Sequence, residues 1–199
     1  MANTVADKMN TANAFMYDRT IEFMQLQPHE HILEIGYGNG KLFEKIFAKA
    51  DGIKISGIDY SKEMYIQAHR NNATAIEQQK LFLYHGNSNV MPFDDEYFDK
   101  IFCINVIYFW DKPDEHLKEI KRILKPGGIF YATIRNKTDM QRMPFTKHGF
   151  TLYAEGEWKD VLKRNGLMFI ETEKISEPPV EVNGKSFQLE SLCIAAKKN

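Results

Sequence analysis

At 199 residues, with 43% hydrophobic and 27% charged side chains, the chain has the composition of a globular protein with room for one sizeable core. Its 26 basic and 27 acidic residues leave a formal net charge of −1, so there is no electrostatic drive toward nucleic-acid phosphates or anionic membranes. No apolar run approaches transmembrane length, and the first twenty residues lack the continuous apolar core of a signal peptide. We therefore expect one domain over 1–199, a cytoplasmic location, and neither nucleic acid nor membrane as partner.

Residues 1–30 form an N-terminal segment in which Phe15, Met16, Ile21, Phe23, Met24 and Leu26 follow a partly helical pattern. Such a helix flanks the domain or covers a pocket, and Tyr17 lies in its middle. From His31 to Leu42 the chain reads HILEIGYGNGKL, a pattern of strand, tight turn and helix. Gly36, Gly38 and Gly40 let the backbone turn sharply and let a ligand approach main-chain N–H groups. A helix beginning near Asn39 would point its positive end into the same space.

Leu42, Phe43, Ile46, Phe47 and Ala50 make one apolar stripe at helical period, ended by Asp51-Gly52. Ile53 to Ile58 is a second strand closing on Asp59. Ser61 suits the N-cap of a helix running to about Asn71, and Leu81 to His85 is a third strand that stops at Gly86-Asn87-Ser88. Asp99 to Ile107 is nearly continuous in β-branched and aromatic residues, as for a strand covered on both faces. Pro113 opens a helix that Lys125-Pro126-Gly127-Gly128 terminates, and Ile129 to Ile134 is a fifth strand. The stretch from Arg135 to Thr151 is irregular, Glu157 to Asn165 is helical, and Leu167–Ile175 and Phe187–Ala196 are two strands. The short link between them, with Asn183-Gly184 in it, predicts an antiparallel pair. Cys103 and Cys193 lie in apolar strand-like segments and read as buried thiols. Without a Cys-x-x-Cys pair no metal framework is indicated.

Five strands alternating with helices make a parallel sheet with helices on both faces, and ligands of such sheets bind at the carboxyl ends of the strands. Gly36 to Gly40, Asp59, Asn87-Ser88 and Asn105 all fall at such ends. An acid at the end of the second strand is placed to accept hydrogen bonds from both hydroxyls of a ribose. A dinucleotide fingerprint needs G-x-G-x-x-G, but Lys41 follows Gly40 here and the third glycine comes one residue early.

The form E-x-G-x-G-x-G, present as Glu34, Gly36, Gly38 and Gly40, instead resembles motif I of the Rossmann-like class of S-adenosylmethionine-dependent methyltransferases. GIDYS, HGNSNVMPFDDEYFDKIFCIN and LKEIKRILKPGG extend the resemblance from about His31 to Gly128. It implies an α/β, three-layer Rossmann-like methyltransferase fold with a seven-stranded, mostly parallel sheet and an antiparallel last strand. It also implies S-adenosyl-L-methionine as cofactor. On that resemblance Gly36 to Gly40 approach the methionine moiety, Asp59 holds the ribose, and Tyr60 and Met64 flank the adenine; Glu34 of the same motif and Asn87, Ser88 and Asn105 at the neighbouring strand ends complete the expected cofactor site. The chain departs from the family at Asn87, where members commonly have an acid that accepts from the adenine amino group. An amide oxygen also accepts, with one charge fewer.

The acceptor-side candidates are Tyr17, Tyr108, Trp110, Arg135, His148 and Tyr153, whose mixed aromatic and polar character suits a small-molecule methyl acceptor. Two other functions fit parts of the pattern: a non-catalytic S-adenosylmethionine-binding module, and an NAD(P)-dependent oxidoreductase suggested by the Tyr108–Lys112 spacing. Pro113 directly after Lys112 disfavours the helical geometry that the second requires. Of the histidines, His116 falls on a polar helix face and reads as solvated, while His85 and His148 are nearer to predicted strand ends or loops.

Overall fold

The computed structural model describes residues 2–147, 149–182 and 185–199. In chain order the elements are α1 (Ala2–Met24), β1 (His31–Ile35), α2 (Phe43–Phe47), β2 (Lys54–Asp59), α3 (Lys62–Asn71), α4 (Ala73–Glu77), β3 (Leu81–His85) and β4 (Phe98–Ile104). They continue with α5 (Pro113–Ile123), β5 (Leu124–Arg135), α6 (Lys137–Met140), α7 (Glu155–Arg164), β6 (Leu167–Ser176), β7 (Val180–Val182), β8 (Lys185–Phe187) and β9 (Glu190–Lys198). The sheet order is β3-β2-β1-β4-β5-β9-β6. Strands β1 to β5 pair in parallel, and β9 runs antiparallel to both neighbours. This is the seven-stranded, three-layer α/β methyltransferase arrangement that the sequence predicts.

Alternation along the strands builds the layers. Leu33 and Ile35 of β1, Ile101 and Cys103 of β4, and Phe130, Ala132 and Ile134 of β5 face α5 and α7. Ile32, Ile55, Phe102 and Tyr131 face the other way, toward α1, α2 and α3. Helix α1 rests on this second face through Tyr17, Ile21 and Met24. The Thr20 hydroxyl lies 2.8 Å from that of Thr133 on β5, and Arg19 is ion-paired with Glu173 on β6. At the far end the nearly buried Lys100 ammonium donates to Glu30 at 2.7 Å and to the Gln25 carbonyl at 3.1 Å, closing the α1–β1 connection.

Helix ends follow local chemistry. Ser61 accepts from the Met64 N–H at 3.3 Å to start α3. Helix α5 has Pro113 at its start, Asp114 and Glu115 in its first turn, and Lys121 and Arg122 in its last.

Four boundaries differ from expectation. Helix α2 begins at Phe43, not near Asn39, and has only 5 residues, so no strong helix dipole points into the glycine turn. Strand β4 stops at Ile104 because Asn105 takes φ +57°, which leaves the extended region. Strand β5 starts at Leu124, where the chain turns extended directly after α5, and a register shift opposite Phe98–Lys100 absorbs Lys125 to Gly128. The link from β6 to β9 makes its own ladder, β7 with β8, which takes Phe187 out of the last strand; Asn183-Gly184 lies outside the described residues. Cys103 and Cys193 are buried and free, on β4 and β9 with β5 between them. Among the described residues no helix is long and apolar enough to cross a membrane.

Candidate functional site

A cavity of about 1060 Å³ opens at the carboxyl ends of β1, β2, β3 and β4. Its first wall is the turn after β1. Glu34 sits on the strand face that carries Ile32, where alternation would otherwise put another core side chain, and it is 5% exposed. Tyr17 of α1 covers it, donating its hydroxyl to the carboxylate at 2.7 Å. Burial pushes Glu34 up to about 8; the Tyr17 hydrogen bond opposes this and the nearby Asp59 charge adds to it. Burial also drives Tyr17 well above the ordinary tyrosine range.

The three glycines do different work. At Gly38, φ is +59° and no atom lies within 4 Å of where a Cβ would stand, so the residue is open to the cavity. At Gly40, also with positive φ, a Cβ would meet Asn72 Nδ2 at 2.8 Å and Ala68 Cβ at 2.9 Å. Gly40 does not line the cavity. It lets the turn pack on α3, and its carbonyl accepts from the Asn72 amide at 3.0 Å. Gly36 lines the wall, with Val106 filling the side where its Cβ would be.

Asp59 closes β2. One carboxylate oxygen accepts from the Gly38 N–H and the other from the Ser61 N–H, both at 2.8 Å, so the acid ties the glycine turn to the start of α3. Burial raises its pKa and the two N–H donors pull it back. Tyr60, largely exposed, and Met64 line the same wall. Tyr37, not foreseen as a site residue, is buried in that wall and donates to the Tyr84 carbonyl at 3.1 Å. Its only sequence signal was an aromatic residue inside a glycine turn.

At the end of β3, Asn87 lines the cavity while its amide oxygen accepts from the Asn89 N–H at 3.3 Å. The Ser88 hydroxyl lies 2.8 Å from His116 Nδ1. His116 corrects an expectation: it is 7% exposed and part of the cavity wall. It stacks on Trp110, with 4.5 Å between centroids and 4° between planes, and burial lowers it to about 4.

Asn105 at the end of β4 donates to Asn13 Oδ1 at 3.1 Å, and both line the cavity under α1. Of the acceptor-side candidates, Tyr17 and Trp110 line the cavity. Tyr108 does not: it is buried behind the wall, its hydroxyl 3.3 Å from Asn105 Oδ1 and accepting from the Arg135 N–H at 2.6 Å. Arg135 is turned away too, its guanidinium held by Glu177 through two contacts of 2.9 Å, with Ser191 donating to the same carboxylate. Tyr153 packs on Trp158 at 5.0 Å, and His148 lies outside the described residues. Tyr108 lies in a 3-10 turn and Lys112 just before α5, bonded to Glu115, so the two do not act from one helical face.

Comparison with known proteins gives the family and the fold. The family described as Methyltransferase domain matches residues 33–132. YrhH of Bacillus subtilis (strain 168), a methyltransferase by name, is 34% identical over 118 residues, covering 59% of this chain and 64% of YrhH. The chain thus spans a little under two thirds of that relative's length. A demethylmenaquinone methyltransferase of Bacillus cereus (strain B4264) is 28% identical over 181 residues, covering 84% of this chain and 70% of the relative. A chain from the complex between the Haloferax volcanii Trm112 methyltransferase activator and a methyltransferase superposes with a TM-score of 0.85 at 20% identity, covering 99% of this chain and 95% of that one. Geranyl diphosphate methyltransferase, solved with GPP and sinefungin, gives 0.75 at 13% identity over 92% of this chain and 77% of its own.

Proposed function

The chain belongs to the methyltransferase-domain family, and from that premise we propose that it is a cytoplasmic S-adenosyl-L-methionine-dependent methyltransferase acting on a small molecule. The observation that carries this reading is the cavity at four adjacent strand ends, bounded by an open Gly38 and by an Asp59 fixed through both carboxylate oxygens.

The residues fit such a cofactor. Each Asp59 oxygen keeps acceptor capacity beyond its one backbone donor, enough for the two hydroxyls of a ribose. Gly38 leaves the space that a Cβ would fill, beside a cavity wall of Gly36 and Glu34, which suits the methionine arm. Met64 and Tyr60 offer apolar and aromatic surface to a base. When bound, S-adenosylmethionine supplies an electrophilic methyl group on a sulfonium.

The chain's own contribution is then binding, orientation and exclusion of water. Helix α1 roofs the cavity through Asn13 and Tyr17, and Asn105 holds that roof to β4. With that chemistry supplied, the cavity walls would contribute by aligning the acceptor and excluding water, which needs no oxyanion hole. On the β4–β5 side, Phe109 lines the cavity yet is 58% exposed, and Phe150 packs against it with ring centroids 4.8 Å apart and planes tilted by 58°. Phe145 follows 5.8 Å beyond Phe150. This aromatic shelf suits a small acceptor with an apolar face, in keeping with relatives named for demethylmenaquinone and geranyl diphosphate. Two buried free thiols suit a reducing compartment.

Calorimetric titration with S-adenosylmethionine tests the assignment, followed by a screen of labelled methyl transfer to small hydroxyl, amine, thiol and carbon acids. Binding with turnover on one class supports it. A folded sample that does not bind overturns it, preference for a nicotinamide dinucleotide points to an oxidoreductase, and tight binding without transfer across the screen points to a non-catalytic module.

A further inference from the structure

Ser88, His116 and Trp110 form one layered unit in the cavity wall, each under 8% exposed. The imidazole is fixed twice, by stacking on the indole at 4.5 Å and by the 2.8 Å contact of Nδ1 with the Ser88 hydroxyl. Its second nitrogen, Nε2, has no protein hydrogen-bond partner among the described residues and is not among the sealed, unpaired atoms of the interior. His116 lines the cavity, so Nε2 is the ring nitrogen left for a ligand there. The neighbouring carboxylates Glu115 and Asp111 favour the charged ring but do not outweigh burial, and Glu115 is itself paired with Lys112 at 2.9 Å. Burial holds His116 near 4, so the ring is neutral at physiological pH and carries one donor and one acceptor nitrogen.

The sheet order sets what reaches this nitrogen. Strand β2, ending at Asp59, lies between β1 with its glycine turn and β3 with Ser88. A nucleoside held by its ribose at Asp59, with its 5′ arm toward Gly38, directs its base to the β3 side. Two acceptors stand on that side: Asn87 is exposed, so water competes for the amide oxygen that also takes the Asn89 N–H, whereas His116 is buried and its Nε2 takes no protein donor among the described residues. On the cofactor assignment above, we infer that His116 is the specificity-determining residue for the base, its Nε2 accepting from the exocyclic amino group of adenine while Ser88 accepts from Nδ1–H and so fixes the tautomer. Trp110 holds the ring plane. A base with a carbonyl in place of the amino group meets a lone pair with a lone pair and is rejected.

The test is calorimetric titration of the full chain with S-adenosylhomocysteine and with S-inosylhomocysteine, whose base carries that carbonyl. Wild type should favour the adenosyl ligand by on the order of 10-fold or more. His116→Phe, which keeps a stacking ring, should bring the two affinities within about 3-fold. Ser88→Ala frees the tautomer and should narrow the ratio by improving the inosyl affinity, which also serves where His116→Phe does not fold. The ¹⁵N shift of His116 Nε2 should move on binding the adenosyl ligand. Undiminished discrimination in both variants, with wild type binding the adenosyl ligand, overturns the inference and leaves the cofactor reading intact. Binding of neither ligand by folded wild type removes both.

Discussion

The Tyr17 hydroxyl donates to the Glu34 carboxylate at 2.7 Å, and this one contact joins the roof of the cavity to the strand beneath it. Both groups are buried. Removing the donor therefore exposes the carboxyl to the full cost of an unmet buried polar group. Tyr17→Phe should lower unfolding free energy by about 1–3 kcal/mol in a urea titration. Wild-type stability in that variant would show the contact to be dispensable.

Glu34 also makes stability depend on pH. Its pKa in the folded protein is about 8, against 4.5 ordinarily, so between those values the folded state holds a proton that the unfolded state has released. Stability from this group is greatest below the lower value and falls as pH rises through the upper one. Glu34→Gln keeps an acceptor for Tyr17 and carries no charge, so it should equal wild type below about pH 4.5, gain on it steadily as pH rises, and exceed it above about pH 8 by an amount on the order of 3–5 kcal/mol. Asp59 is shifted in the same direction and leaves a residual slope at lower pH. Denaturant titrations at several pH values would show this, and parallel curves for the two proteins would count against a protonated Glu34.

The glycines separate packing from binding. Gly40→Ala forces a Cβ to within 2.8 Å of Asn72 Nδ2 and 2.9 Å of Ala68 Cβ at positive φ, so it should cost about 2–4 kcal/mol of stability. Gly38→Ala meets no neighbouring atom and should cost only about 1 kcal/mol from its backbone, while S-adenosylmethionine binding weakens markedly. Thermal melts beside calorimetry distinguish the two. Equal stability losses would contradict the assignment.

Asp59→Ala should weaken S-adenosylmethionine by roughly 10- to 100-fold, corresponding to about 1–3 kcal/mol. It also releases the Gly38 and Ser61 N–H groups, so Asp59→Asn, which retains one acceptor, is the milder probe. An unchanged affinity in Asp59→Ala would take the residue out of the site.

What could be read from the sequence was whatever depends on local pattern. Glycines after an apolar run, an acid closing the next strand and five strand-helix alternations fix the crevice, because each follows from backbone geometry within a few residues. Pairing across the fold is invisible to that kind of reading. Arg135 looked available for a substrate until Glu177, brought in by the segment after β6, took its guanidinium. His116 counted as polar and solvated on its own helix, but Ser88 and Trp110 from two other segments enclose it. Gly40 belonged to the motif by spacing, yet its neighbours come from α3. Helix α2 carried a longer apolar stripe than the helix it forms, since hydrophobic period does not mark where hydrogen bonding begins.

Helix α1 precedes every strand on which it rests, including β9 and β6. A ribosome delivering this polypeptide in order therefore releases Met16, Tyr17, Ile21 and Met24 into solvent before the platform that buries them exists. That interval is when the nascent chain is most open to chaperone capture or self-association. Sealing of the cavity becomes a late assembly step, set by long-range closure rather than by the fast local formation of the helix itself.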